Sequence, residues 1–129
     1  MKGRSTLFYI YRGNFIVGLW LSFVGLAWGH AFPDRQSPGA GSVLSTSPRI
    51  VQIWFDGELE PIFSTIKVED AEGHVIVKAS VGSGQSDPTL LQVQLPALDP
   101  GIYQVKWSVV ARDGHHTDGG YTFIIKSSP

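Results

Sequence analysis

The sequence predicts a small all-β domain of about seven strands, an antiparallel β-sandwich or Greek-key barrel, behind an N-terminal leader. Three observations predict it. From residue 50 onward, apolar and polar residues alternate with period two in successive segments. Clusters of Gly, Pro and Asp interrupt those segments at short intervals. After the leader, no stretch repeats apolar residues at the helical spacing of about 3.6. At 129 residues and 43% hydrophobic content the chain can bury one core, and it shows no internal repeat and no second domain.

Residues 1–29 read as a secretory signal peptide. Lys2, Arg4 and Arg12 make the start basic, and no acid balances them. The run from Phe15 to Trp28 is apolar and uncharged, 14 residues long, shorter than the roughly 20 needed to cross a bilayer. Ala27-Trp28-Gly29 then sets small residues at the −3 and −1 positions, so cleavage is expected before His30, with Trp28 the departure from the usual motif. The mature domain is then 30–129, secreted and not inserted in the membrane once the leader is cut.

In chain order, Pro33, Pro38, Gly39, Gly41 and Pro48 break the first segment into an extended edge strand and turns. Ile50 to Phe55 is β-branched and aromatic, a buried strand that Asp56-Gly57 ends. Ser64 to Asp70 alternates Ile66 and Val68 with Lys67 and Glu69, and Ala71 to His74 turns it into Val75 to Lys78. Val81 to Pro88 is a Gly/Ser-rich loop. Leu91, Val93 and Leu95 alternate with Gln92 and Gln94 up to Pro96. Asp99-Pro100-Gly101 launches the longest strand, Ile102 to Val110, and Tyr121 to Ile125 forms the last. Trp54 and Trp107 fall in strand patterns and are assigned to the core.

Composition narrows the chemistry. There is no cysteine, which removes disulfides, zinc–thiolate sites and cysteine nucleophiles together. From His30 onward seven Lys/Arg face eleven Asp/Glu, and this acidic body without a basic cluster argues against nucleic acid or anionic lipid as main partner. No Gly-rich phosphate loop, nucleophile elbow or His-Glu-x-x-His motif is present, so nothing points to an enzyme.

Ligating side chains are densest between the last two predicted strands, in Arg112-Asp113-Gly114-His115-His116-Thr117-Asp118-Gly119-Gly120. In extended backbone Asp113 and His115 leave on one face, and Gly114 between them puts no side chain in the way of an ion. Alone, Asp-Gly-His is also an ordinary polar turn. His30 strengthens the case. As an N-terminal residue it offers its α-amino nitrogen and ring Nδ1 to one ion, and with His115 and Asp113 this makes three nitrogens and an oxygen. Such a set suits Cu(II), which heads the divalent affinity order. The only Met is Met1, inside the leader, so a cleaved chain has no sulfur ligand for Cu(I). His116 is expected on the opposite face, His74 as a solvated turn residue, Asp118 as a turn former, and Glu58 and Glu60 as a solvated acidic loop.

With these residues in place the chain resembles the CopC family of periplasmic copper-binding, copper-resistance proteins. The resemblance is carried by His30-Ala31, Ser37-Pro38, the strand Val51 to Phe55, Phe63-Ser64, Leu95-Pro96, Pro100 to Trp107, and most specifically Val109 to His115 with Gly119 and Phe123. Ala111 stands where the family's Ser-x-Asp-Gly-His segment has serine. The resemblance implies an immunoglobulin-like Greek-key β-barrel holding one Cu(II) through His30, Asp113 and His115. It further implies a role as copper carrier or buffer and an inner-membrane CopD-type partner. Two departures stand out. The Met-rich segment of some members is absent, and a carboxylate often found after the second strand falls at Gly57. Two competing readings are a histidine-brace copper monooxygenase and a metal-free β-sandwich interaction module. Against the first, the Asp113 oxygen fills a position that oxygen chemistry needs open, and the chain is short for a polysaccharide-binding face.

Overall fold

A computed structural model describes Gly3, residues 31–80 and residues 86–128. The rest of the leader, its cleavage point, His30 and most of the Gly/Ser-rich loop expected over 81–88 lie outside the described residues. The described chain forms eight strands: β1 Pro33–Ser37, β2 Val43–Leu44, β3 Ile50–Phe55, β4 Thr65–Glu69, β5 Val75–Ser80, β6 Leu90–Gln94, β7 Gly101–Val110 and β8 His116–Ile125. They lie in two sheets, β1-β3-β6 and β2-β8-β7-β4-β5. Pairing is antiparallel except between the two-residue strand β2 and β8, which run parallel. Among the described residues no helix is long and apolar enough to cross a membrane.

Alternation builds the core as expected. Val51, Ile53 and Phe55 of β3, Ile66 and Val68 of β4, and Tyr103, Val105, Trp107 and Val109 of β7 face inward and are buried. Phe123 from β8 is fully enclosed between the sheets and stacks on Tyr103. Each such aliphatic or aromatic side chain contributes about 1.5–3 kcal/mol by leaving water. Trp107 meets Phe55 edge to face at 5.1 Å between ring centroids. Trp54 departs from its expected place in the core: it lies half-buried, on the face opposite Ile53 and Phe55, with the Arg35 guanidinium 3.9 Å from its ring centroid. A Trp with a cation over its ring satisfies strand periodicity on either face.

The largest difference from the sequence pattern is the start of the last strand. β8 begins at His116 rather than Tyr121, so the stretch from His116 to Gly120 is strand, not loop. Its glycines serve close packing. A Cβ on Gly119 would stand 2.6 Å from Cζ2 of Trp107, and one on Gly120 would stand 2.7 Å from the Val105 carbonyl oxygen. Glycine in a strand marks such an approach as readily as it marks a turn.

On the outer face of the larger sheet, Lys67 and Lys106 sit directly opposite each other, a repulsive pairing taken alone. Glu69 relieves it, its carboxylate 2.7 Å from Lys67 Nζ and 2.8 Å from Lys106 Nζ. Hydrogen bonds from Lys106 and Lys67 hold the Glu69 carboxyl below the ordinary carboxylate range.

One end of the barrel is closed by residues 56–64. Leu59 is buried and bridges Ala111, Glu60 N donates to the Val110 carbonyl at 2.8 Å, and Arg112 N donates to the Glu58 carbonyl at 3.0 Å. Ser64, fully buried, donates from Oγ to the Glu60 carbonyl at 2.8 Å and accepts from Val110 N at 3.3 Å. The turn that leaves β7 is thereby fastened to a fixed floor.

Candidate metal centre

Asp113 and His115 come together, by a turn and not by extended backbone. Gly114 takes φ +91, a left-handed conformation that glycine adopts without strain, and its N–H donates to the Ala111 carbonyl at 2.8 Å. The turn folds His115 back over Asp113. The Asp113 Oδ1 accepts the His115 backbone N–H at 3.0 Å, and Oδ2 lies 2.7 Å from the ring Nδ1. A nitrogen that close to a carboxylate carries the proton, which in the neutral ring leaves the lone pair on Nε2. Asp113 therefore sets the tautomer of His115 and makes Nε2 the nitrogen that could ligate an ion. The side chains are 28% and 60% exposed respectively, so an ion can reach them from solvent. The Arg112 guanidinium beside them is occupied by Glu58 at 3.1 Å.

The chain that leads out of residue 30 arrives at the same end. Ala31 is fully buried, its carbonyl accepting a 2.7 Å hydrogen bond from Thr117 Oγ1 near the start of β8. Phe32 N donates to Asp56 Oδ1 at 2.8 Å, and Asp56 N donates back to the Phe32 carbonyl at 2.9 Å. Gly57 abuts Ala31: a Cβ on it would lie 3.9 Å from the Ala31 Cα and Cβ. His30 itself lies outside the described residues.

His116 occupies the outer face of β8, its Nε2 2.7 Å from Ser108 Oγ and its Nδ1 3.9 Å from Asp118. It points away from the Asp113 turn. Glu58 is solvated as expected, and its carboxylate pairs with Arg112 at 3.1 Å. A second group of ligating atoms forms at the β4–β5 turn, where Asp70, Glu72 and His74 each present one within 4.8 Å of the others. Sequence reasoning had His74 there as a solvated turn residue, and its ring is bonded to Asp70 at 3.2 Å. What the sequence did not reveal are Asp56 and Thr117, whose partners Phe32 and Ala31 are 24 and 86 positions away. No local pattern signals such contacts.

The model of the CopC domain matches residues 34–126. Protein YobA of Escherichia coli K12 is 34% identical over 100 residues, 77% of this chain and 81% of that protein. Copper resistance protein C of Pseudomonas syringae pv. tomato is 28% identical over 118 residues, 87% of this chain and 91% of that one. Among solved structures, CopC from Methylosinus trichosporium OB3b superposes with a TM-score of 0.69 at 36% identity, covering 75% of this chain and 94% of that one.

Proposed function

The chain belongs to the CopC family, and on that premise we propose that it carries or buffers copper in the periplasm as a single Cu(II) ion held by His30, Asp113 and His115. Proteins of this family are periplasmic copper-binding and copper-resistance proteins, not enzymes, so copper is cargo here rather than a catalytic cofactor. The observation that carries the reading is the 2.7 Å contact between Asp113 and His115 Nδ1, which directs Nε2 outward at the barrel end where Ala31 is anchored. The donors are nitrogen and oxygen without sulfur, the set that favours Cu(II) over Cu(I). Each residue has a role. His30 supplies its amine and ring Nδ1 once the signal peptide is removed, His115 supplies Nε2, and Asp113 orients His115 and contributes an oxygen. An inner-membrane CopD-type protein is the proposed recipient.

The amine must lose its proton to bind. With a free pKa of about 7.7–8.0, it makes affinity fall as pH is lowered. Titration of exported, metal-free protein with Cu(II) tests the proposal. It should saturate at one ion per chain with a type 2 electron paramagnetic resonance spectrum split by nitrogen. Saturation without nitrogen splitting, or an unchanged spectrum in H115A, contradicts it.

A further inference from the structure

We infer that Thr117 and Asp56 are positioning residues for copper binding: they fasten Ala31 and Phe32 to the barrel end and so present the residue before them to the Asp113–His115 turn. The inference rests on the proposed ligand role of His30. It concerns a different question, how a chain end comes to behave as a fixed ligand.

A terminus is the part of a chain that frays most easily, because nothing on one side holds it. β1 begins at Pro33, and its pairing with β3 slips between Pro33 and Arg35, so the strand ladder alone holds residues 31 and 32 weakly. Side chains from two other elements take over. Thr117 is on the inward face of β8, opposite Val109 and two residues beyond His115, and its hydroxyl reaches across to the Ala31 carbonyl. From the other side Asp56, just past the end of β3, accepts from Phe32 N through its carboxylate and donates to the Phe32 carbonyl through its own N–H. Ala31 is pressed between them with no exposed surface, and Gly57 packs against it. The first described residue after the cleavage point is thus fixed on both flanks, one peptide bond from His30.

The consequence is energetic preorganisation. A ligand that occupies its binding position only part of the time weakens the apparent affinity by that fraction. Removing one tether hydrogen bond lowers the fraction by about 3- to 10-fold. A merely structural hydrogen bond would change stability without regard to which ligand is present.

A double-mutant cycle on Cu(II) affinity separates the two. The full chain is expressed with its leader, recovered after export and checked by sequencing of its amino terminus, and affinity is measured by chelator competition. T117V, which keeps the shape and removes the hydroxyl, should weaken Cu(II) binding about 3- to 10-fold, and T117S should restore it. D56A should weaken binding by a similar factor. In an H30A background with one residue added before position 30, which takes both the ring and the amine out of the site, T117V should have no further effect. Equal losses from T117V with and without both donors of residue 30, or no loss in T117V and D56A while H30A weakens binding, overturn the inference and leave the ligand assignment standing. Unchanged affinity in H30A overturns the ligand assignment, and the inference with it. Melting of the metal-free variants confirms that each is folded.

Discussion

The five-stranded sheet carries an Asp-to-His turn at each end, and the two are nearly the same piece of chemistry. At Asp70 to His74, Asp70 Oδ1 accepts the His74 N–H at 2.8 Å and Oδ2 lies 3.2 Å from its Nδ1. At Asp113 to His115 the corresponding distances are 3.0 and 2.7 Å. Gly73 at φ +85 and Gly114 at φ +91 precede the two histidines. Their surroundings differ. The side-chain bonds of Asp70 and His74 stay within their own turn, at the tip of a hairpin, whereas the 113–115 turn shares its end of the barrel with Ala31 and with the connection through Glu58 and Leu59. A turn of this kind is a preorganised pair of ligands and no more. What separates a site from a decoration is whether the fold brings a further donor to it.

The comparison can be broken most forcefully by equivalent substitutions at the two turns. H115A and D113N should each weaken tight Cu(II) binding, by about 100-fold and about 10-fold or more respectively, since one removes a proposed ligand and the other the group that orients it. H74A and D70N should leave it within about 2-fold, as expected where no ligand is lost. Chelator competition on the four proteins decides it, and a comparable loss at His74 would erase the distinction between the turns.

The two ends should also separate on a pH axis. At the hairpin end, the Asp70 carboxyl is lowered chiefly by the His74 backbone N–H, and Glu69 by its lysines. A depressed carboxylate contributes stability that is present above its unfolded pKa and is lost as pH falls through the folded one. The melting-temperature gap between wild type and E69Q should therefore be widest near neutrality and close in acid, by about pH 2–3. At the other end copper should leave at much higher pH, as the terminal amine of the proposed site protonates. Copper retained down to the carboxylate range would contradict a site built on nitrogen.

A smaller effect, on scaffold alone, is expected from G119A. The new methyl collides with the Trp107 ring, and the cost should be about 1–3 kcal/mol of stability, read as a lowered melting temperature. It should reach copper affinity only so far as it displaces Thr117, two residues earlier on the strand.

Much of this was legible in the sequence. Period-two alternation located β4 and β7 to within a residue or two, because one face of each strand is buried and that constraint writes itself into the residue order, and β-branched and aromatic content located β3. β2 was not legible: two residues paired in parallel with Ile124 and Ile125 carry no periodicity. The early start of β8 was hidden because Gly119 and Gly120 read as turn formers, while their reason for being glycine is a tryptophan ring and a carbonyl on the neighbouring strand. At the candidate site the Asp113–His115 pairing was legible, though through the wrong backbone geometry. The tethers at Asp56 and Thr117 were not, since they depend on contacts that exist only once the sheets are assembled.

The central claim is that a terminus made by proteolysis completes the 113–115 turn. Its most direct test is Cu(II) affinity of the exported protein beginning at His30 against the same protein carrying Gly-Pro before it. The added pair keeps the imidazole and abolishes the amine chelate, and its proline, with no N–H to give up, stops the new terminus from chelating in its place, so affinity should fall by about 100-fold or more. Equal affinity in the two proteins would contradict the account.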